Sequence, residues 1–175
     1  MWASARYRVG QLFLSLRSAA TPPAIAELRE LLSEAELACF VAMEPRDRRH
    51  SLDVMRRVWE CSSAAGAPAS RDLLAAALLH DVEKGRLMLR DRVAFVLLYA
   101  VAEPLGDALG AERGPRWRRA LWRIRHHARL GSARLTEAGS SARVVELVAR
   151  HIVAKREGTG GDRELALLIA ADDAS

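Results

Sequence analysis

Residues 73–79 carry only leucine and alanine side chains, and this run leads directly into a histidine and an aspartate, His80 and Asp81. A helix that is apolar on every side has to lie among other helices. We therefore expect it at the centre of the fold. Carrying an imidazole and a carboxylate to its buried end costs several kcal/mol unless they are paired or bind a cation.

We predict this central helix from residue 71 to about residue 84, with Ser70 as its N-terminal cap and Gly85 at its end. Apolar residues at helical spacing predict further helices over 25–43, 46–62, 90–103, 116–130, 140–155 and 163–174, and an amphipathic one near the N-terminus. No segment alternates with period two for long enough to indicate a strand. The predicted class is all-α, with about eight helices.

The length of 175 residues fits one domain, and the 50% apolar content is ample for a core. The formal net charge is +5, and Lys84 and Lys155 are the only lysines among 27 basic residues. A basic surface attracts nucleotides, nucleic acid or acidic lipid, but arginine also serves simply as a solubilising cation. Cys39 and Cys61 lie within helical patterns, so we expect reduced core thiols in a cytoplasmic protein.

The longest apolar run, residues 93–102, is too short for a bilayer, which needs about 20 residues. The first 26 residues contain arginines but no acid, which suits either a transit peptide or a first amphipathic helix. We favour the helix, because no small-residue cleavage pattern follows an apolar segment.

A single histidine in a helix is more often a hydrogen-bonded core residue than a metal ligand. The chain has five, at positions 50, 80, 126, 127 and 151. His80 differs from the others because Asp81 follows it at the end of the apolar run. The alternative is an ordinary helix end, with Asp81 solvated and Lys84 stabilising the helix dipole.

Five parts of the chain resemble motifs of the HD superfamily of metal-dependent phosphohydrolases. They are residues 49–54 around His50, residues 76–85 with His80-Asp81, residues 127–131 from His127 to Gly131, His151, and residues 167–174 with Asp172. In this order they are similar to the first histidine motif, the H-D-[IV]-G-K signature, the H-P-x-x-G segment and second extra histidine of two-metal members, and the closing aspartate motif. The spacing to Gly131 selects His127 over its neighbour His126.

The resemblance implies an HD-type helical bundle with a metal-binding core over about 46–175, on which helices of residues 1–44 pack. It implies a basic ligand set of His50, His80, Asp81 and Asp172, to which His127 and His151 add a second ion, with Asp81 as the bridge. Imidazole and carboxylate ligands suit one or two divalent ions such as Mn²⁺, Fe²⁺, Mg²⁺ or Zn²⁺. A metal-activated hydroxide would then attack phosphorus.

Asp81 and Lys84 are the candidate catalytic residues. Lys84 would also contact the substrate phosphate, together with Arg49 and Arg129.

The chain departs from the family pattern at two places. Glu83 stands where the signature has glycine, and it could reach a metal-bound water or face solvent. Ala128 replaces the proline of H-P-x-x-G. The Gly-Tyr-Pro motif of cyclic-di-GMP phosphodiesterases is absent after Gly131, which argues against that branch of the family. The pattern is nearest to the small HD hydrolases, including symmetrical diadenosine tetraphosphate hydrolases.

The expected function is hydrolysis of a small phosphorylated substrate, a nucleotide by preference, with no membrane association. A homodimer contact is possible through residues 86–125, which include Trp117 and Trp122. The alternative is a catalytically degenerate HD module that binds a nucleotide or a signalling partner. Nucleic-acid binding ranks third, because no helix combines clustered arginines with a clear recognition face.

Overall fold

The computed structural model describes residues 28–85 and 109–175. These residues form six helices and no strand. The helices are α1 (Glu34–Ala42), α2 (Pro45–Ala64), α3 (Arg71–Leu79), α4 (Arg116–Glu137), α5 (Ala142–Glu157) and α6 (Arg163–Asp173). The predicted all-α class is confirmed for this part of the chain. The predicted helices near the N-terminus and over 90–103 lie outside it.

Helix α3 is the central element, as its sequence predicts. No side chain from residue 73 to residue 79 is more than 2% exposed. Helices α1, α2, α5 and α6 all pack against it. Truncating one of its leucines to alanine would lower the stability of the fold by about 2–5 kcal/mol. This packing therefore holds the end of the helix firmly in place.

Polar side chains fix where most of these helices begin. Ser33, Ser70, Ser141 and Asp162 each accept a hydrogen bond from the backbone N–H of the third helical residue. Such a cap is worth about 1 kcal/mol. Helix α2 begins instead with Pro45, whose ring presets a helical φ angle.

Two of the predicted helices end or break earlier than expected. The helix expected over 25–43 is interrupted at Ser33, which caps α1 together with Glu36 in a reciprocal capping box. Helix α3 ends at Leu79 rather than near Lys84. Residues 80–84 turn tightly instead, with Val82 N–H donating to Leu79 and Lys84 N–H to Asp81.

Helix α4 is longer than expected, because Gly131 lies inside it rather than ending it. A Cβ atom on Gly131 would lie 3.1 Å from Val82 Cγ1 and 3.4 Å from Val148 Cγ1. The glycine therefore allows α4 to approach its neighbours closely. Helix α4 and α5 share the most extensive contact between helices in the described residues.

The start of α6 is tied to α5 by Arg143. Its guanidinium donates to both carboxylate oxygens of Asp162, at 2.7 and 2.9 Å, and its Nε donates to Glu164 at 2.9 Å. Such a bidentate pair fixes direction as well as distance. The helix that carries Asp172 is thereby held against α5.

The two cysteines have different environments. Cys39 is buried as expected, but Cys61 is exposed, so its predicted place in the core is wrong. Cys61 lies in the last turn of α2 and is not among the buried residues of that helix. Within the described residues, no helix has the length and apolarity needed to cross a membrane.

Candidate metal centre

The structure brings the six predicted ligand residues together from five parts of the chain. His50 lies on α2, His127 on α4, His151 on α5 and Asp172 on α6. His80 and Asp81 stand at the end of α3. Two ligand groups form, His50 with His80 and Asp81, and Asp81 with His127 and His151; in each, the donor atoms lie within 4.8 Å of one another.

Three of the histidines are oriented in the same way by the backbone. The Nδ1 atoms of His80, His127 and His151 lie 3.0, 2.6 and 2.7 Å from the carbonyl oxygen three residues earlier. A carbonyl can only accept, so Nδ1 carries the hydrogen and donates it. In the neutral ring, Nε2 then keeps its lone pair, which is the arrangement of a metal-binding imidazole.

The three Nε2 atoms are buried and have no hydrogen-bond partner. The rings lie close together, with centroids 5.4 Å apart between His80 and His151 and between His127 and His151. An unsatisfied buried polar atom costs about 1–3 kcal/mol. Three such atoms in one place are explained if they face a cation, so the donor set fits a metal ion.

Asp81 stands between the two groups and presents a different oxygen to each. Its Oδ2 lies 3.6 Å from His80 Nε2 and 4.0 Å from His50 Nε2. Its Oδ1 lies 3.3 Å from His127 Nε2. A carboxylate in this position can bridge two ions.

Asp172 belongs to the group of His50 and His80. Its Oδ1 lies 2.9 Å from His50 Nε2 and 3.4 Å from His80 Nε2. Its Oδ2 is turned to Lys155. One oxygen therefore faces the imidazoles and the other faces a cation of the chain.

The protonation of these groups follows from burial and from their neighbours. Burial, together with nearby His80 and His127, lowers the pKa of His151 to about 3. Burial also lowers the pKa of His127, so both rings are neutral at pH 7. For His80, burial lowers the pKa, but the carboxylates of Asp81 and Asp172 outweigh it and the pKa is raised.

The two carboxylates are ionised. Burial alone would raise the pKa of Asp81, but His80, Lys84 and His127 outweigh it and hold this pKa below its usual range. Burial would likewise raise the pKa of Asp172, but the neighbouring His50, His80 and Lys155 outweigh it and this pKa is lowered. The neutral rings of His127 and His151 beside ionised carboxylates are in the states that a divalent ion needs of its ligands.

Both lysines of the chain contact these carboxylates. Lys84 Nζ lies 2.6 Å from Asp81 Oδ2. Lys155 Nζ lies 2.8 Å from Asp172 Oδ2 and 2.6 Å from Asp173 Oδ1. Lys155 was not among the predicted site residues, although its position four residues after His151 and the rarity of lysine both point to it.

A cavity of about 760 Å³ opens beside the two ligand groups, between α4 and α5. Its polar lining combines the candidate ligands with basic residues and one further acid, Glu157. These are Asp81, Lys84, Arg125, His126, His127, Arg129, His151, Lys155, Arg156, Glu157 and Asp172. Its apolar lining is Ile124, Ala128, Ala149, Ile152 and Val153.

The remaining predicted residues divide between this cavity and other surfaces. Arg129 lines the cavity, whereas Arg49 is exposed on α2 and does not. Glu83 lies 3.8 Å from Arg123. His126 lines the cavity outside both ligand groups, and its ring stacks on Trp122 with centroids 4.6 Å apart.

Comparison with protein-family models, with curated proteins and with solved structures gave no match.

Proposed function

We propose that this chain is a metal-dependent phosphohydrolase of the HD type with a centre for two divalent ions. The observation that carries the proposal is Asp81, whose two oxygens face two separate histidine groups. One ion would be held by His50, His80, Asp81 and Asp172, and the second by Asp81, His127 and His151.

The donor set is nitrogen and carboxylate oxygen, which suits Mn²⁺, Fe²⁺, Mg²⁺ or Zn²⁺. When bound, a pair of such ions supplies Lewis acidity and a water that ionises near neutral pH. The chain's own contribution is to hold neutral imidazoles and ionised carboxylates in a buried place. No serine or cysteine nucleophile is then needed.

The substrate would be a phosphate ester or anhydride, a nucleotide by preference. Lys84 and Arg129 line the cavity beside the ligands, and their charges attract a phosphate. The apolar part of the lining suits a larger group attached to that phosphate. The six intact donors favour an enzyme over a degenerate module that only binds its ligand.

The first prediction is that Asp81→Asn removes metal and activity together. An amide retains one neutral oxygen but loses the charge that the bridge provides, so we expect both ions to leave and turnover to fall at least about 100-fold. The measurement is metal analysis of the purified chain after Mn²⁺ loading, with a panel of nucleotides and phosphodiesters.

Asp53→Asn is the matched control, because Asp53 lies one turn from His50 but pairs with Arg56 outside the site. This variant should keep wild-type metal content and activity, and circular dichroism should show equal helix content in all three proteins. A wild-type protein without bound metal, or full turnover in Asp81→Asn, would overturn the proposal.

A further inference from the structure

We propose that Lys155 is a second phosphate contact of this site. Its ammonium is anchored on the carboxylate of Asp172 and would bind the substrate phosphate, just as Lys84 is anchored on Asp81 and would bind it from there. The inference rests on the proposed function and names a residue that recognises its substrate. It concerns the class of ligand that both lysines would hold, a phosphate oxygen carried by an ester or anhydride.

The first support is the distribution of lysine. The chain uses arginine at 25 of its 27 basic positions, and each of the two lysines contacts a carboxylate of the centre. Lysine is a compact point charge on a flexible stem, whereas arginine is a planar fork that needs two aligned acceptors. Lysine is thus found where a small cation has to share a crowded place with metal ligands.

The second support is the position of the Lys155 ammonium. It is held by Asp172 Oδ2, the oxygen turned away from the imidazoles, and by Asp173 Oδ1. An ammonium has three donors, so two are used by these carboxylates and one remains. Lys155 lines the same cavity as Lys84, His127 and His151. It can therefore keep both anchors and still donate to an anion in that cavity.

The competing role is positioning alone, in which Lys155 only orients Asp172. The two roles differ in what the loss of the ammonium changes. A residue that only orients a ligand affects the affinity for metal. A residue that contacts phosphate affects the affinity for the anion, and removal of its positive charge leaves metal binding equal or tighter because a repulsion is lost.

The experiment measures binding of inorganic phosphate by calorimetry to the full chain saturated with Mn²⁺. In Lys155→Met, which keeps the length of the stem, phosphate should bind about tenfold more weakly while Mn²⁺ content is retained. Lys155→Arg should restore binding only in part, because a planar guanidinium cannot reproduce the single-nitrogen geometry by which the ammonium contacts both carboxylates. Arg150→Met is the matched control: it removes a cation from the same helix, one that pairs with Glu146 outside the cavity.

Phosphate affinity within twofold of wild type in Mn²⁺-saturated Lys155→Met would overturn the inference alone. An equal loss in Arg150→Met would also overturn it, since the effect would then be one of general charge. A wild-type chain that binds no Mn²⁺ would instead overturn the proposed function, and this inference with it. Failure of the inference and failure of the function on which it rests are thereby distinguished.

Discussion

At the scale of the single residue, His151 shows how this fold prepares a candidate metal ligand. Its Nδ1 donates to the carbonyl of Val148, and burial keeps the ring neutral by lowering its pKa to about 3. The remaining nitrogen is buried, without a partner, and faces the rings of His80 and His127. Such a residue costs stability unless an ion satisfies it.

We predict that His151→Ala reduces binding from two ions to one. The group of His50, His80, Asp81 and Asp172 remains complete, while the second ion loses one of three ligands. Metal analysis after Mn²⁺ loading measures the change, and circular dichroism should show unchanged helix content. His126→Ala, which removes a cavity-lining imidazole outside both groups, should keep two ions. Two ions still bound in His151→Ala would exclude His151 as a ligand of the second ion, and one ion in both proteins would exclude the two-ion centre.

The sequence predicts which residues converge better than it predicts what surrounds them. Spacing to Gly131 selects His127, whose Nε2 lies 3.3 Å from Asp81, over His126, which stacks on Trp122. Lys155 was missed, because its partners Asp172 and Asp173 lie on another helix and only packing brings them within reach. The direction in which a long basic side chain points depends on the tertiary structure.

At the scale of the element, Gly131 determines how closely α4 approaches the site. Glycine inside a helix costs about 1 kcal/mol relative to alanine. Here the missing side chain leaves room for Val82 and Val148. Val82 directly follows Asp81, so this contact also holds in place the carboxylate that the two ligand groups share.

We predict that Gly131→Val destabilises the fold by about 1–3 kcal/mol, because a branched side chain would be forced against Val82. Urea denaturation measures the loss, and Mn²⁺ content shows whether Asp81 has shifted. Ala133→Val on the exposed side of the same helix is the control for helix propensity and should cost only about 0.5 kcal/mol. Equal effects of the two substitutions would contradict a packing role for Gly131.

Existence of the helices was more predictable than their ends. Periodicity indicates α2, α4, α5 and α6 because each has an apolar side. It does not distinguish a glycine that ends a helix, as Gly85 was expected to do, from one that permits close packing, as Gly131 does. The break at Ser33 depends on a capping box that competes with helix continuation.

At the scale of the whole molecule, the candidate metal centre would couple metal binding to folding. Five segments supply its groups, so the unfolded chain offers no preformed site, and an ion that binds the folded chain stabilises it by mass action. The all-α class was predictable because composition and periodicity agree. The arrangement of helices around α3 was not, since apolar sides alone do not specify which helices are neighbours.

In the metal-free chain, the buried histidines make stability depend on pH. The folded pKa of His151, about 3, lies below its ordinary value of 6.5, so the folded state binds this proton less readily than the unfolded chain. Its contribution to stability is therefore lost as pH falls from 6.5 toward 3, and His127 acts in the same direction. His80 acts oppositely. Its pKa is raised in the folded chain, so its contribution to stability is present below pH 6.5 and is lost as the pH rises.

We predict that the free energy of unfolding of the EDTA-treated chain falls between about pH 6.5 and pH 4.5, and that His151→Ala makes this fall smaller. One titrating group changes the slope by at most about 1.4 kcal/mol per pH unit, so the difference between the two proteins should approach that value. Urea denaturation at several pH values measures both slopes. His126→Ala retains all three buried imidazoles and should keep the wild-type slope. If the free energy of unfolding of His151→Ala depends on pH as steeply as that of the wild type, then His151 is not a buried neutral imidazole in the folded chain.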